Sequence, residues 1–463
     1  MLDQPQFGRR LKRLRTARGL SQADVVGDGM STGHLSRLES GDRRPTERTV
    51  AYLAQRLGVD ASALTGPQDG RSLSGVLAAV ASAPPGTDST AALSRAVEDD
   101  PGEDPAARWQ ALWLLSQAAD RDGDHQSERT RLLELLALRR SLDAPDLHTR
   151  SLVRYARCTR AIGDLHTAES AATEALSLAR TAHLCVPDTL AALLELINSE
   201  TELGRWEAAS QHVDELDRDL LPRASALQAA EALWTAAVVS SRKGDDAAAM
   251  ARLNKALGLL EDGREDLTAW ARLRTAAAAA ALQMSPPRVA AAEEWLTEAA
   301  SVLDLTGTPA QLQELHALQA HLAFAQGRLE DAALLSRTVL SEEDLRLPYR
   351  DLVRLSVLDG RLAIHAGRVE EGVAALQQLA RQATQSRHVG LAAHVWQALA
   401  TALAGRGGVF SDLGTTGAAA VDHGRVRPRR LSDPLSGRHG GDGSGDALRL
   451  GQRHPGAFRR CAT

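Results

Sequence analysis

The sequence predicts an all-α chain, a five-helix head followed by an α-solenoid of about seven helical hairpins. Three observations predict it. Residues 1–66 hold five short amphipathic stretches, each opened by a capping residue and closed by a glycine or a turn. Residues 106–405 repeat a glycine-led helical phrase at a period near 40 residues. The formal charge changes sign between the two: +4 over 1–66 and −14 over 67–405, within a net charge of −5.

In the head, Phe7, Leu11 and Leu14 share one face of a first helix that Gly19 stops. Ser21 caps SQADVV, which runs into the Gly27–Gly29 turn. Ser31 caps STGHLSRLE, with Leu35 and Leu38 as its apolar side and Gly41 as its end. Pro45 and Thr46 open TERTVAYLAQRLG, whose buried face is Val50, Leu53, Ala54 and Leu57. Asp60 caps a last turn that buries Leu64. The second and third helices, joined by a short turn, make a helix-turn-helix.

Leu20-Ser21-Gln22, Gly29-Met30-Ser31, Leu35-Ser36, Leu38-Glu39, Arg44-Pro45 and Leu57-Gly58-Val59 together resemble the phage-repressor type of helix-turn-helix domain, the xenobiotic-response-element family. The resemblance covers about sixty residues, and the segment after Leu-Ser-Gln is one residue shorter here than in that family. It implies that Thr32, Gly33, Ser36 and Arg37 read bases, with Arg37 suited to guanine O6 and N7. Gly33 brings no side chain, which removes one usual reader. Gln22, His34, Arg43 and Arg44 fall where phosphates are contacted, and Glu39 pairs within the domain. The implied partner is double-stranded DNA with palindromic or paired half-sites, read by a homodimer.

Residues 67–105, rich in Pro, Gly, Ser, Thr and Asp, read as a linker carrying one short helix, SLSGVLAAVA. From residue 106 the repeat takes over. Its phrases start at Gly123, Gly163, Gly204, Gly244, Gly327 and Gly367, with a degenerate copy from Pro287, which makes seven. A small residue recurs seven positions earlier, Ser116, Ala156, Ala237, Ala320 and Gly360, with Ile197 as the departure. This pattern is similar to tetratricopeptide repeats, whose first helices line a concave face. Six residues before each glycine stand Gln117, Arg157, Asn198, Val238, His321 and Arg361, and nearby positions add Arg160, Glu202, Arg242 and His365. These polar groups on alanine- and leucine-rich helices form a candidate effector groove, and Trp113 and Trp234 sit near it. Asn198 stands out, because its amide offers a donor and an acceptor at a cost in helix propensity.

Residues 406–463 lose the helical period, hold a charge of +5 and read as a flexible basic Gly/Arg-rich tail. Three cysteines exclude a disulfide framework, no apolar stretch is long enough for a membrane span, and no apolar leader opens the chain. A cytoplasmic, nucleoid-associated protein is expected. No metal-ligand, phosphate-loop or C-x-x-C motif occurs, so no cofactor, metal or enzymatic activity is expected. Only three of 54 basic residues are lysine, so arginine richness by itself argues nothing about nucleic acid. A head of one type on a body of the other resembles the peptide-sensing regulators of Gram-positive bacteria and the head-plus-repeat regulators of actinobacteria. That implies a sequence-specific transcriptional regulator whose array senses a peptide or small molecule. The alternative is a scaffold whose array holds a protein partner and whose head tethers it to DNA. Truncation after Ala404 is expected to leave melting temperature and DNA affinity nearly unchanged, as thermal denaturation and a binding titration would check.

Overall fold

The computed structural model describes residues 4–404 except 5, 28, 62, 63, 65–71, 85, 86, 101, 103, 262–265 and 387; the tail from 405 lies outside the described residues. Among these residues all named elements are helical. None of the helices is long and apolar enough to cross a membrane.

The head holds α1 (Gln6–Ala17), α2 (Gln22–Val25), α3 (Thr32–Glu39) and α4 (Glu47–Leu57), and Leu64 is buried beyond them. Its core is the set the periodicity predicts: Phe7, Leu11, Leu35, Leu38, Val50, Leu53, Ala54 and Leu57, joined by Val25. Ser21 and Asp24 cap α2 reciprocally, and Ser31 and Thr46 cap α3 and α4. α2 has only four residues. Its short exit is held by Arg56 of α4, which donates to the carbonyls of Val25 (3.0 Å), Asp24 (2.7 Å) and Val26 (3.0 Å). Those are the orphan carbonyls of a helix end, and a guanidinium satisfies three at once.

Where composition predicts a linker, the chain forms two helices, α5 (Leu73–Ala81) and α6 (Thr90–Asp99). Leu73 and Leu77, then Leu93 and Val97, are pairs at i,i+4 that bury against α7 (Pro105–Asp122) and α8 (His125–Ala137). Much of the segment is thus a packed helical pair on the first repeat, and its prolines fall outside the two helices. The C-terminal carbonyls of α6 receive Arg108 of α7 on Val97 (3.0 Å) and Arg13 of the head on Asp99 (3.0 Å).

Six further hairpins follow: α9 (Pro145–Ala161) with α10 (Leu165–Thr181), α11 (Val186–Glu202) with α12 (Trp206–Glu215), α13 (Ala226–Arg242) with α14 (Asp246–Leu259), α15 (Leu267–Leu282) with α16 (Val289–Thr306), α17 (Pro309–Ala325) with α18 (Leu329–Leu340), and α19 (Tyr349–His365) with α20 (Val369–Gln385). A last helix, α21 (Val389–Ala404), packs on α20. The degenerate copy is α16. The small residues predicted at the crossing are buried, Ser116, Ala156 and Ala320 completely. At Gly360 the fit is tightest, since a Cβ there would meet Leu376 at 3.0 Å and one at Gly372 would meet the Gly360 carbonyl at 2.5 Å.

The array curls until its two ends touch. Arg346, in the approach to α19, donates to the carbonyl of Asp122 in α7. The turn of the second hairpin lies against Tyr349, so that a Cβ on Gly163 would stand 2.8 Å from the ring. Gly163 and Gly204 hold the same left-handed backbone, φ +88° and +78°, but nothing lies within 4 Å of the position a Cβ would take at Gly204. Gly204→Ala is therefore expected to cost about 1–2 kcal/mol through its backbone alone. Gly163→Ala should cost clearly more in the same denaturation experiment. Equal losses would show that the array is open in solution.

Candidate functional site

Two surfaces collect the residues the sequence singles out. The first is α3. Thr32, Gly33, Ser36 and Arg37 are all exposed on one side of it, opposite the buried Leu35 and Leu38. Arg37 Nε donates to the Gly33 carbonyl at 3.1 Å, which leaves its terminal nitrogens for an outside acceptor. Arg43 and Arg44 are exposed just beyond α3, and the Arg43 amide returns to the Arg37 carbonyl at 3.0 Å. His34 is half-buried; burial and then the charges of Arg43 and Arg37 hold its pKa below the usual range, so it is neutral at pH 7.

Behind this surface Glu39 is buried and takes Arg15 bidentately, at 2.7 and 3.0 Å. The Gln22 amide donates to the same carboxylate at 2.7 Å. Gln22 is thus anchored at the start of α2 by one of its two amide protons. The pairing ties α1, α2 and α3 together and fixes the angle of the exposed helix.

The second surface is a cavity of about 720 Å³ enclosed by the curled array. Of the nine predicted groove residues, Arg157, Arg160, Asn198, Glu202, Arg242, His321 and Arg361 line it. Gln117 does not, because the end of α7 is covered by Ala310 and Arg346 and the cavity begins at the second hairpin. His365 does not either. It is exposed at the end of α19, with its ring edge-on to Phe324 at 5.7 Å. Trp234 lines the cavity with its Nε1 buried and unpartnered, whereas Trp113 stacks on Trp109 at 5.0 Å.

An ion network runs along the cavity wall. Arg160 pairs with Glu195 (2.7 Å) and Glu202 (2.9 Å). Glu202 also takes Arg350 at 3.1 Å, and Arg350 and Arg354 share Asp351 at 3.1 and 3.3 Å. Burial raises the Glu314 carboxyl to about 7, with Asp351 adding repulsion. Burial, followed by the charge of Arg354, lowers His321 to about 4. Arg350 and Arg354 escape a reading that takes one position per repeat. Arg354 stands two turns before Arg361 on the same helix face, so extending the column along each helix would have found it.

Asp120, His125 and Glu128 also converge, with ligand atoms within 4.8 Å of one another. Arg154 reaches into that group, at 3.1 Å from both Asp120 and Glu128, and supplies its positive charge. Cys158 is buried with its thiol on the His125 carbonyl at 3.2 Å; burial and then Glu128 push its pKa up, so it is a poor nucleophile.

A helix-turn-helix domain family matches residues 6–65. An uncharacterised helix-turn-helix-type transcriptional regulator of Sinorhizobium fredii, y4dJ, is 44% identical over 63 residues, which are 13% of this chain and 82% of the relative. Among solved structures, PlcR of Bacillus thuringiensis in complex with the peptide PapR7 and DNA aligns over 68% of this chain and 98% of its own, at 13% identity and a TM-score of 0.35. A Rap protein complexed with Competence and Sporulation Factor aligns over 87% and 98%, at 11% identity and a TM-score of 0.46.

Arg37→Ala is expected to cost about 1–3 kcal/mol at one base pair and to flatten sequence preference. Arg43→Ala should weaken all sequences alike and lower the salt slope, measured by titration at several ionic strengths. Equal losses on specific and random DNA would remove Arg37 from base reading. For the cavity, His321 is neutral in the folded chain down to about pH 4 but takes a proton near 6.5 when unfolded. The unfolded state therefore binds more protons between those values, and stability falls as pH drops from 7 to 5. His321→Phe should flatten that slope in melting curves.

Proposed function

This chain belongs to the helix-turn-helix-type transcriptional regulators, and we propose that it reads paired DNA half-sites as a homodimer under the control of a ligand held in its array. The observation that carries the proposal is the Glu202–Arg350 pair, which joins the third hairpin to the seventh across the cavity at 3.1 Å. A ligand placed there meets the third and the seventh hairpin at once. The cavity volume falls in the range of small-molecule sites, about 300–1,000 Å³. Asn198, Arg157 and Trp234 offer polar and aromatic contacts on its wall.

Coupling requires that the ligand favour one degree of curl over another. Arg13 of the head rests on the end of α6, and α6 packs on the first hairpin, so a change of curl reaches the head through rigid helices. Typical coupling is about 1–3 kcal/mol, or roughly 5–150-fold in DNA affinity. The dimer follows from the small footprint of one head, and half-sites about one helical turn apart, or a multiple of that, fit two. Such a protein acts where the chromosome is, in the cytoplasm.

Asn198→Ala is expected to weaken an effector peptide drawn from culture medium while leaving ligand-free DNA binding intact, as calorimetry and a DNA titration would measure. Unchanged ligand affinity would take Asn198 out of the site. An array that captures only a folded protein would favour the scaffold reading. Sedimentation of residues 67–404 should give a dimer at micromolar concentration; a monomer would move the dimer contact elsewhere.

A further inference from the structure

Seven arginines line the cavity against five carboxylates, and the surplus is concentrated at one spot. Arg242 Nη2 of α13 and Arg354 Nη2 of α19 both donate to one neutral acceptor, Oε1 of Gln283, at 2.6 and 2.8 Å. Arg354 has a carboxylate, Asp351, but shares it with Arg350. Among the described residues Arg242 has no ion-pair partner, and neither has Arg361 two turns further along α19. Arg361 lies over the Phe324 ring at 4.3 Å with its Nε buried and unpartnered.

Guanidiniums that converge on an uncharged oxygen lack the partner that convergence suits. An amide oxygen holds a fraction of a charge, whereas a carboxylate holds a full one and takes two forked donors together. Stability does not explain the arrangement. Burial and then the charge of nearby Arg350 hold Arg242 and Arg354 below the usual arginine range, so three like charges crowd this spot. Residues that cost stability at one point of a cavity are characteristic of a binding site. Trp234, Val238, Leu318 and Phe324 line the same space and supply apolar contacts.

We propose that the cavity's ligand carries a carboxylate, which takes the position of Gln283 Oε1 between Arg242 and Arg354 while its apolar body lies in the remaining space. The inference rests on the reading of the cavity as the effector site and names the chemistry that site selects. Arg361, about 10 Å from Arg354 by the helix rise, is the second donor for a group further along the ligand. Because Arg242 belongs to the fourth hairpin and Arg354 to the seventh, the anion also draws two parts of the array together.

Calorimetric titration of the full chain with matched pairs tests this. One pair is octanoate and octanamide; the other is an N-acetylated apolar tetrapeptide with a free or an amidated C-terminus. A charge-assisted hydrogen bond predicts a preference for the acid of about tenfold or more in at least one pair. Preference in the first pair alone identifies a small organic acid, and in the second alone a peptide C-terminus. Arg242→Gln and Arg354→Gln should each bring acid and amide towards parity; Arg242→Gln, which breaks no ion pair, should keep the wild-type melting temperature, whereas Arg354→Gln also gives up its pair with Asp351. Equal affinity for acid and amide, binding of neither, or a preference that survives both substitutions would overturn the proposal. Neutral probes that bind and are weakened by Asn198→Ala would overturn it while leaving the effector site standing. Acid selectivity without any change in DNA affinity would do the reverse, keeping the anion subsite and removing the regulatory coupling.

Discussion

The body of this protein depends on Glu202, whose carboxylate lies between Arg160 of the second hairpin and Arg350 of the seventh. Stacked hairpins alone set only how each repeat leans on the next. A contact between residues 148 apart sets where the whole curl stops. Such a pair is a poor source of net stability, since desolvating the charges offsets much of their attraction. Its value is specificity: the apolar crossings tolerate a range of small rotations, and the ion network accepts far fewer.

The same division of labour operates in the head. Leucines make the head compact, and the buried Arg15–Glu39–Gln22 set decides how α2 and α3 are angled. Arg56 then closes the short exit of α2 with three carbonyls. Both the exposed side of α3 and the cavity wall are backed by polar clusters that fix their geometry.

The cavity wall mixes charged and apolar groups because the curl turns inward faces that an open array would leave in water. Burial raises Glu314 and lowers His321 without either being chemically unusual. Their neighbours come from several hairpins, so their protonation reports the closure of the array. Head and array are joined by helices whose own contacts, Leu73, Leu77, Leu93 and Val97 on the first hairpin, are apolar.

The sequence by itself determined the local structure. Caps, glycine stops and i,i+4 leucines mark the head helices, the 40-residue period marks the seven hairpins, and the exposed side of α3 follows from Leu35 and Leu38 being buried. These are short-range regularities, and a helix records them in its own residues. Residues 67–105 read as a linker because each helix is buried through a single i,i+4 apolar pair, while Pro, Gly, Ser, Thr and Asp set the composition around them. Only the tertiary structure decided how far the array curls. That curl joins Arg350 to Glu202, brings Arg242 and Arg354 to one oxygen, and leaves Gln117 and His365 outside. The physical reason is that small rotations at each crossing accumulate over seven hairpins, and no single repeat encodes their sum.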